Sequence, residues 1–299
     1  MNKKLITILL LSVVLTTACS PKEFWNDLKN LKFKTQQETT VPYHPPVNNT
    51  NTTNETIVIK EPFKLVQDHT NIIITKHSIL IWDNNESYLI DAPNDQPDII
   101  NYLNEFKIKR LNFIISTLDT PKHNGGIKYI VVKTPPDIIM DNGIINDEQK
   151  DYLLRLERYN TYWNNTPTQY YPLLADYKHK DFNFFIPYDN GLREKKQENS
   201  ISISYKQELL YMSDCYGDCE KTIPPISARY LILANEGICP SNSFDFVLST
   251  GAEYIIGNSI CNDLKEDLDI INIKYLSLSE TGNIQLVLGD EDEIRREND

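Results

Sequence analysis

The chain has 299 residues, and its 42 acidic side chains outnumber 30 basic ones for a formal charge of -12. So acidic a surface repels phosphate backbones, because nucleic-acid affinity rests on Lys and Arg contacts that release counterions. Non-specific DNA binding by the whole surface is disfavoured on that ground, while a local basic groove stays open.

The N-terminus carries Lys3 and Lys4, then a largely apolar stretch from Leu5 to Leu15, then Thr16, Thr17 and Ala18 before Cys19. This order of charged, apolar and small residues is that of a cleavable secretory leader over residues 1–18. The stretch falls short of the roughly 20 residues that a permanent membrane helix needs. Leu15-Thr16-Thr17-Ala18-Cys19 resembles the lipobox of bacterial lipoproteins, in which the cysteine is acylated and becomes the new N-terminus. Loss of Lys3 and Lys4 takes the mature chain's charge from -12 to -14. The location expected is the cell envelope, with the chain tethered outside the cytoplasmic membrane.

Residues 19–55 follow as a tether, with a Pro-, Asn- and Thr-rich segment from Pro42 to Glu55 that buries too little apolar surface to offset its ordering entropy. A flexible spacer of about 35 residues reaches roughly 30 Å on average. Residues 56–289 then suffice for one domain.

Alternation and turn residues predict strands over Phe63–Val66, Asn71–Thr75, Ser78–Trp82 and Ser87–Asp91, with a turn at Asp83-Asn84-Asn85. A helix is predicted over Pro97–Phe106 and a buried strand over Asn112–Ser116. A second helix is predicted over about Asp147–Tyr162, followed by an irregular aromatic segment through Tyr177. Strands resume at Asp181–Pro187, Ser200–Tyr205, Glu208–Met212, Arg229–Ala234, Tyr254–Gly257, Tyr275–Leu278 and Ile284–Leu288. The tail 290–299 is a charge run, read as a solvated end. Tyr159, Tyr162, Trp163, Tyr170 and Tyr171 are read as packing residues rather than a stacking platform for bases or sugars.

Besides Cys19, the cysteines are Cys215, Cys219, Cys239 and Cys261, the last read as ending a further strand. In an exported chain an even count is read first as two disulfides, with all three pairings open. A four-thiolate zinc site is the rival, and no paired C-x-x-C motif supports it.

The order and spacing of Ser87-Tyr88-Leu89-Ile90-Asp91-Ala92, of Leu111 to Gly126, and of Asn199 to Asp214 resemble the metallo-β-lactamase superfamily. The resemblance is to the extracellular metallo-β-lactamase-like domain of competence DNA-uptake channels. It implies an α/β fold, an αββα sandwich, with metal ligands on loops at one edge of the two sheets. In active members, a loop of Thr-His-x-His/Asp-x-Asp-His-Gly-Gly type brings imidazoles and carboxylates to one or two metals that activate water.

Here that loop reads Thr117-Leu118-Asp119-Thr120-Pro121-Lys122-His123-Asn124-Gly125-Gly126. The resemblance places Leu118 and Thr120 at the first two ligand positions and Lys122 at the aspartate, leaving His123 alone. Asp214 matches the bridging aspartate, and the family's His-His-Gly-Ser string falls on Asn235-Glu236-Gly237-Ile238. Catalytic zinc needs about three protein ligands plus water. The candidate site residues are therefore Asp119, His123, Asp214 and Glu236, with His123 and Asp214 vestigial and Lys122 replacing the metal's charge by pairing with Asp214 or Asp119. His69, His77 and His179 fall outside the ligand positions. Ser213-Asp214 lacks the Gly-x-Ser-x-Gly elbow of a nucleophile.

Three functions compete. The first is a membrane-anchored, non-catalytic binding or accessory module with no cofactor, held through the lipid on Cys19 and acting on a protein partner at the envelope. The second is a divergent metal-dependent hydrolase of phosphodiesterase or nuclease type, with zinc or manganese as its cofactor. An accessory role in DNA uptake follows from the resemblance and is opposed by the charge.

Overall fold

The computed structural model describes residues 63–94, 97–118, 120–143, 168–173, 175–186, 200–289 and 292–297. The chain divides into two compact units, 1–57 and 58–299, and every described residue belongs to the second. The leader and tether predicted over residues 1–55, with Cys19 between them, the helix predicted over Asp147–Tyr162, and Asp119 lie outside the described residues.

Five-residue alternating segments begin the domain: β1 (Thr70–Ile74), β2 (Ile79–Asp83) and β3 (Glu86–Ile90) form an antiparallel meander. Its hairpin turn uses Asn84 and Asn85 at positive φ, where the short amide side chains tolerate the left-handed region. Helix α1 (Pro97–Glu105) carries the chain over to β4 (Leu111–Ile115), which runs parallel to β3. After α2 (Pro121–Asn124) and α3 (Ile127–Lys133) come β5 (Pro136–Asp141) and β6 (Gln169–Pro172), both parallel additions.

The second sheet starts with the antiparallel strands β7 (Tyr177–His179), β8 (Phe182–Phe185), β9 (Ser202–Tyr205) and β10 (Leu209–Tyr211). It continues with parallel β11 (Tyr230–Ile232), β12 (Tyr254–Gly257) and β13 (Lys274–Ser277), interleaved with α4 (Phe244–Thr250) and α5 (Asn262–Ile271). After α6 (Leu278–Thr281), β14 (Ile284–Leu288) and β15 (Glu293–Arg296) return to the first sheet. The sheet orders are β15-β14-β1-β2-β3-β4-β5-β6 and β13-β12-β11-β10-β9-β8-β7.

Alternate residues explain the layers. Ile72, Ile74, Ile79, Ile81, Tyr88, Ile90, Phe113 and Ile115 of one sheet share a core with Phe182, Phe184, Ile203, Tyr205, Tyr230 and Ile232 of the other. The opposite face of the second sheet, including Leu210, Leu231 and Ile255, packs with Val247 of α4 and Leu264 and Leu268 of α5. Helices α1 and α3 bury Ile99, Leu103, Ile127, Ile130 and Val131. The molecule is thus the mixed α/β sandwich that the resemblance implied.

Four local expectations change. Phe63–Val66 is not a strand; Phe63 is buried and stacks on Tyr102 with ring centroids 5.8 Å apart, so its apolar character serves packing rather than pairing. The irregular aromatic segment contains strand β6, where the Tyr170 hydroxyl donates to Asp141 and Tyr171 lies against Tyr177. Cys261, expected to end a strand, instead caps the start of α5. Part of the charged tail is β15, paired with β14 from Ile284↔Arg296 to Val287↔Glu293, because a partly exposed edge strand tolerates charges.

Candidate functional site

The parallel halves of both sheets release their loops at one edge, the usual place for a site in a sheet of this kind. Asp91 follows β3, Thr117 follows β4, Ser213 and Asp214 follow β10, and Asn235 and Glu236 follow β11. Asp91, Ser213, Asn235 and Glu236 all have positive φ, from 49° to 58°. For non-glycine residues such backbone costs on the order of 1–3 kcal/mol each, and it persists where surrounding contacts dictate it.

Asp91 is fully buried and accepts from four donors. Its Oδ1 takes the Thr117 backbone N–H at 2.7 Å, and its Oδ2 takes the Thr117 hydroxyl at 2.6 Å, the Tyr211 hydroxyl at 2.9 Å and His123 Nδ1 at 2.8 Å. Thr117 Oγ1 also lies 2.8 Å from Ser213 Oγ. A buried carboxylate is tolerated when its lone pairs are met in this way. Burial favours neutral His123, but the Asp91 charge and hydrogen bond, with Asp214 behind them, outweigh it and raise the imidazole pKa. Burial, reinforced by Asp91, pushes the Tyr211 phenol well up and keeps it a donor.

The loop carrying His123 is pinned to this carboxylate by backbone as well. The Ala92 N–H donates to His123 O at 2.7 Å and the Gly126 N–H donates to Ala92 O at 2.6 Å. A Cβ on Gly126 would meet Pro93 O at 2.2 Å, so the close approach requires glycine. Because Nδ1 faces Asp91, His123 presents Nε2 to a small pocket lined by Ile74, His77, Lys122, Tyr211, Asp214 and Glu236, among others. Nε2 is buried without a hydrogen-bond partner and lies 3.9 Å from Asp214 Oδ2.

Glu236 closes the pocket from the opposite side. Its Oε1 pairs with the Lys122 ammonium and lies 3.1 Å from His77 Nδ1. Burial opposes its ionisation, but the contacts from His77 and Lys122 prevail and hold its carboxyl at about 2. Gly237, at φ 79°, lets this turn press on Ser259, whose carbonyl oxygen would lie 1.9 Å from any Cβ there.

Lys122, His123, Asp214 and Glu236 therefore converge. Among the described residues Lys122 pairs with Glu236 rather than Asp214, because the turn after β11 swings that carboxylate across the mouth of the pocket; Asp119, its other expected partner, lies outside them. Asn235 turns away and donates to Ile238 O and Pro240 O. The disulfides are Cys215–Cys219 and Cys239–Cys261, both flanking this edge. Sequence reasoning missed Asp91, Thr117, Tyr211, Ser213 and His77. The available signal for Asp91 was a lone carboxylate ending a buried strand.

Among the described residues, which do not include Asp119, the donor set does not fit a metal ion. Of the loop positions that deliver ligands in the resembling family, Leu118 is buried and apolar and Lys122 is a cation. Among the described residues, no three His, Cys, Asp or Glu side chains are grouped to hold an ion. What remains is a rigid imidazole with one open nitrogen, facing a carboxylate and an internal ion pair.

No protein-family model matches the sequence, and no curated protein sequence matches it. Among solved structures, the chain is similar to the metallo-β-lactamase fold protein YhfI from Bacillus subtilis, with 12% identity, a TM-score of 0.47, and coverage of 70% of this chain and 95% of that one. It is also similar to Igni18, a metallo hydrolase from Ignicoccus hospitalis, with 10% identity, a TM-score of 0.46, and coverage of 74% and 100%. A diphosphatase of the PhnP family shows 14% identity, a TM-score of 0.39, and coverage of 60% and 72%.

Proposed function

We propose that this chain is an extracytoplasmic, lipid-tethered binding or accessory protein whose metallo-β-lactamase-like domain has exchanged its hydrolytic centre for an internal polar lock. The observation that carries this reading is the Lys122–Glu236 pair in the pocket shared by His123 and Asp214. An ammonium at that place repels a catalytic cation, and fold by itself carries no activity. The two disulfides and the leader-like N-terminus support export. Among the described residues no helix is long and apolar enough to cross a membrane. The anchor proposed is the lipid on Cys19, on the strength of the lipobox-like string that ends there.

Elemental analysis of the purified mature chain, with phosphodiesterase and β-lactam assays in added zinc or manganese, tests the reading. Sub-stoichiometric metal and no turnover are expected. Near-stoichiometric metal with turnover abolished by His123→Ala establishes the divergent hydrolase instead. The anchor has its own test: Cys19→Ser is expected to move the chain from the membrane fraction to the soluble fraction, and retention at the membrane refutes lipid tethering.

A further inference from the structure

Glu236 is delivered to the pocket by a backbone that has little freedom to withdraw it. Asn235 and Glu236 are consecutive non-glycine residues at positive φ, and the Glu236 carbonyl accepts the N–H groups of Asn258 at 2.7 Å and Ser259 at 3.2 Å. Its side chain is 12% exposed, so the carboxylate needs a cation or several donors nearby. Lys122 from α2 supplies the cation, and His77 Nδ1, from the turn between β1 and β2, lies 3.1 Å away. Behind them stand the open Nε2 of His123 and the Asp214 carboxylate, 3.9 Å apart. An ion between these last two atoms would share the pocket with the Lys122 ammonium at short range, where like charges repel strongly in partly desolvated surroundings.

We infer that Lys122 is a tethered counter-cation, which neutralises Glu236 from within the chain and thereby keeps soluble divalent cations out of the pocket. It follows that replacing the ammonium by a carboxylate both removes the repulsion and adds oxygens beside His123, Asp214 and Glu236, creating a cation site that the native donors do not form. The inference rests on the metal-free reading above.

The test uses the full chain, with zinc as the probe. Wild type is expected to keep its melting temperature with zinc up to about 100 µM, whereas Lys122→Asp gains at least about tenfold in zinc affinity and melts higher with zinc. Adding His123→Ala to that variant is expected to remove the gain. A folded Lys122→Asp protein as indifferent to zinc as wild type overturns the inference. Should that variant not fold, a double-mutant cycle of Lys122→Met and Glu236→Gln in urea decides: coupling of about tenfold in the unfolding constant supports the pair, and additivity overturns it. Stoichiometric metal and turnover in wild type defeat the proposed function itself, while a metal-free, inactive wild type with an indifferent Lys122→Asp defeats the counter-cation alone.

Discussion

Asp91 and Glu236 are carboxylates at the same edge of the sandwich, satisfied in different ways. Asp91 is sealed inside and held by four hydrogen bonds, two of them from Thr117. Glu236 stands at the mouth and is held by an ion pair to a side chain that is one-third exposed. The first arrangement is a structural rivet joining the loop after β4 to strand ends of both sheets. The second is a lock that water and salt can reach. Position relative to solvent, rather than residue type, sets which carboxylate the fold depends on.

The largest effect is therefore expected at the inner one. Asp91→Ala strands three side-chain donors and an N–H, and urea unfolding should show a loss of about 3–5 kcal/mol. A loss below about 1 kcal/mol would mean that water replaces the carboxylate, and the distinction between rivet and lock would fail.

The disulfides sharpen the comparison next. Cys239–Cys261 closes a 22-residue separation, and Cys215–Cys219 closes one of 4. Loop-closure entropy predicts about 3 kcal/mol for the first and about 2 for the second when each is replaced by a serine pair. Equal losses would show that local packing, not loop length, governs this edge.

Glu236→Gln is expected to cost less, about 1–3 kcal/mol, since the partner ammonium regains solvent. Added salt should shrink this loss while leaving that of Asp91→Ala nearly unchanged.

The smallest effects concern pH, and the two carboxylates should affect opposite limbs of the profile. Glu236 titrates at about 2, below the 4.5 of a free glutamate, so its contribution is present above about 4.5 and is lost as the pH falls toward 2. His123 has its pKa raised above 6.5 by Asp91, so its contribution is complete below 6.5 and is lost as the pH rises through the raised value. Stability curves of Glu236→Gln should flatten on the acid side, and those of Asp91→Asn on the alkaline side. The same limb flattening in both variants would show the two clusters to be one coupled unit.

Much of the fold was legible in the sequence because it is local. Strands β1 to β4 follow alternation, the Asn84-Asn85 turn follows backbone chemistry, and α1 follows helical spacing. Helices α2 to α6 and strands β5, β6, β7 and β15 went unread; α2, α6 and β7 are too short to show a period, whereas α5 and β5 are as long as elements that were read. His123, Asp214, Glu236 and Lys122 were legible as positions in a resembling pattern. His77 was not, as nothing in its neighbourhood signals a partner 159 positions away along the chain.

By itself the sequence determined the composition of the edge: an acidic chain, His123 as the one imidazole of its loop, a lysine among carboxylates, and four cysteines besides Cys19. Only the tertiary structure decided which groups meet. Pairing energies fall off over a few ångströms; Asp91 and His123 meet because they follow neighbouring strands of one sheet, and Lys122 and Glu236 because they follow strands of different sheets.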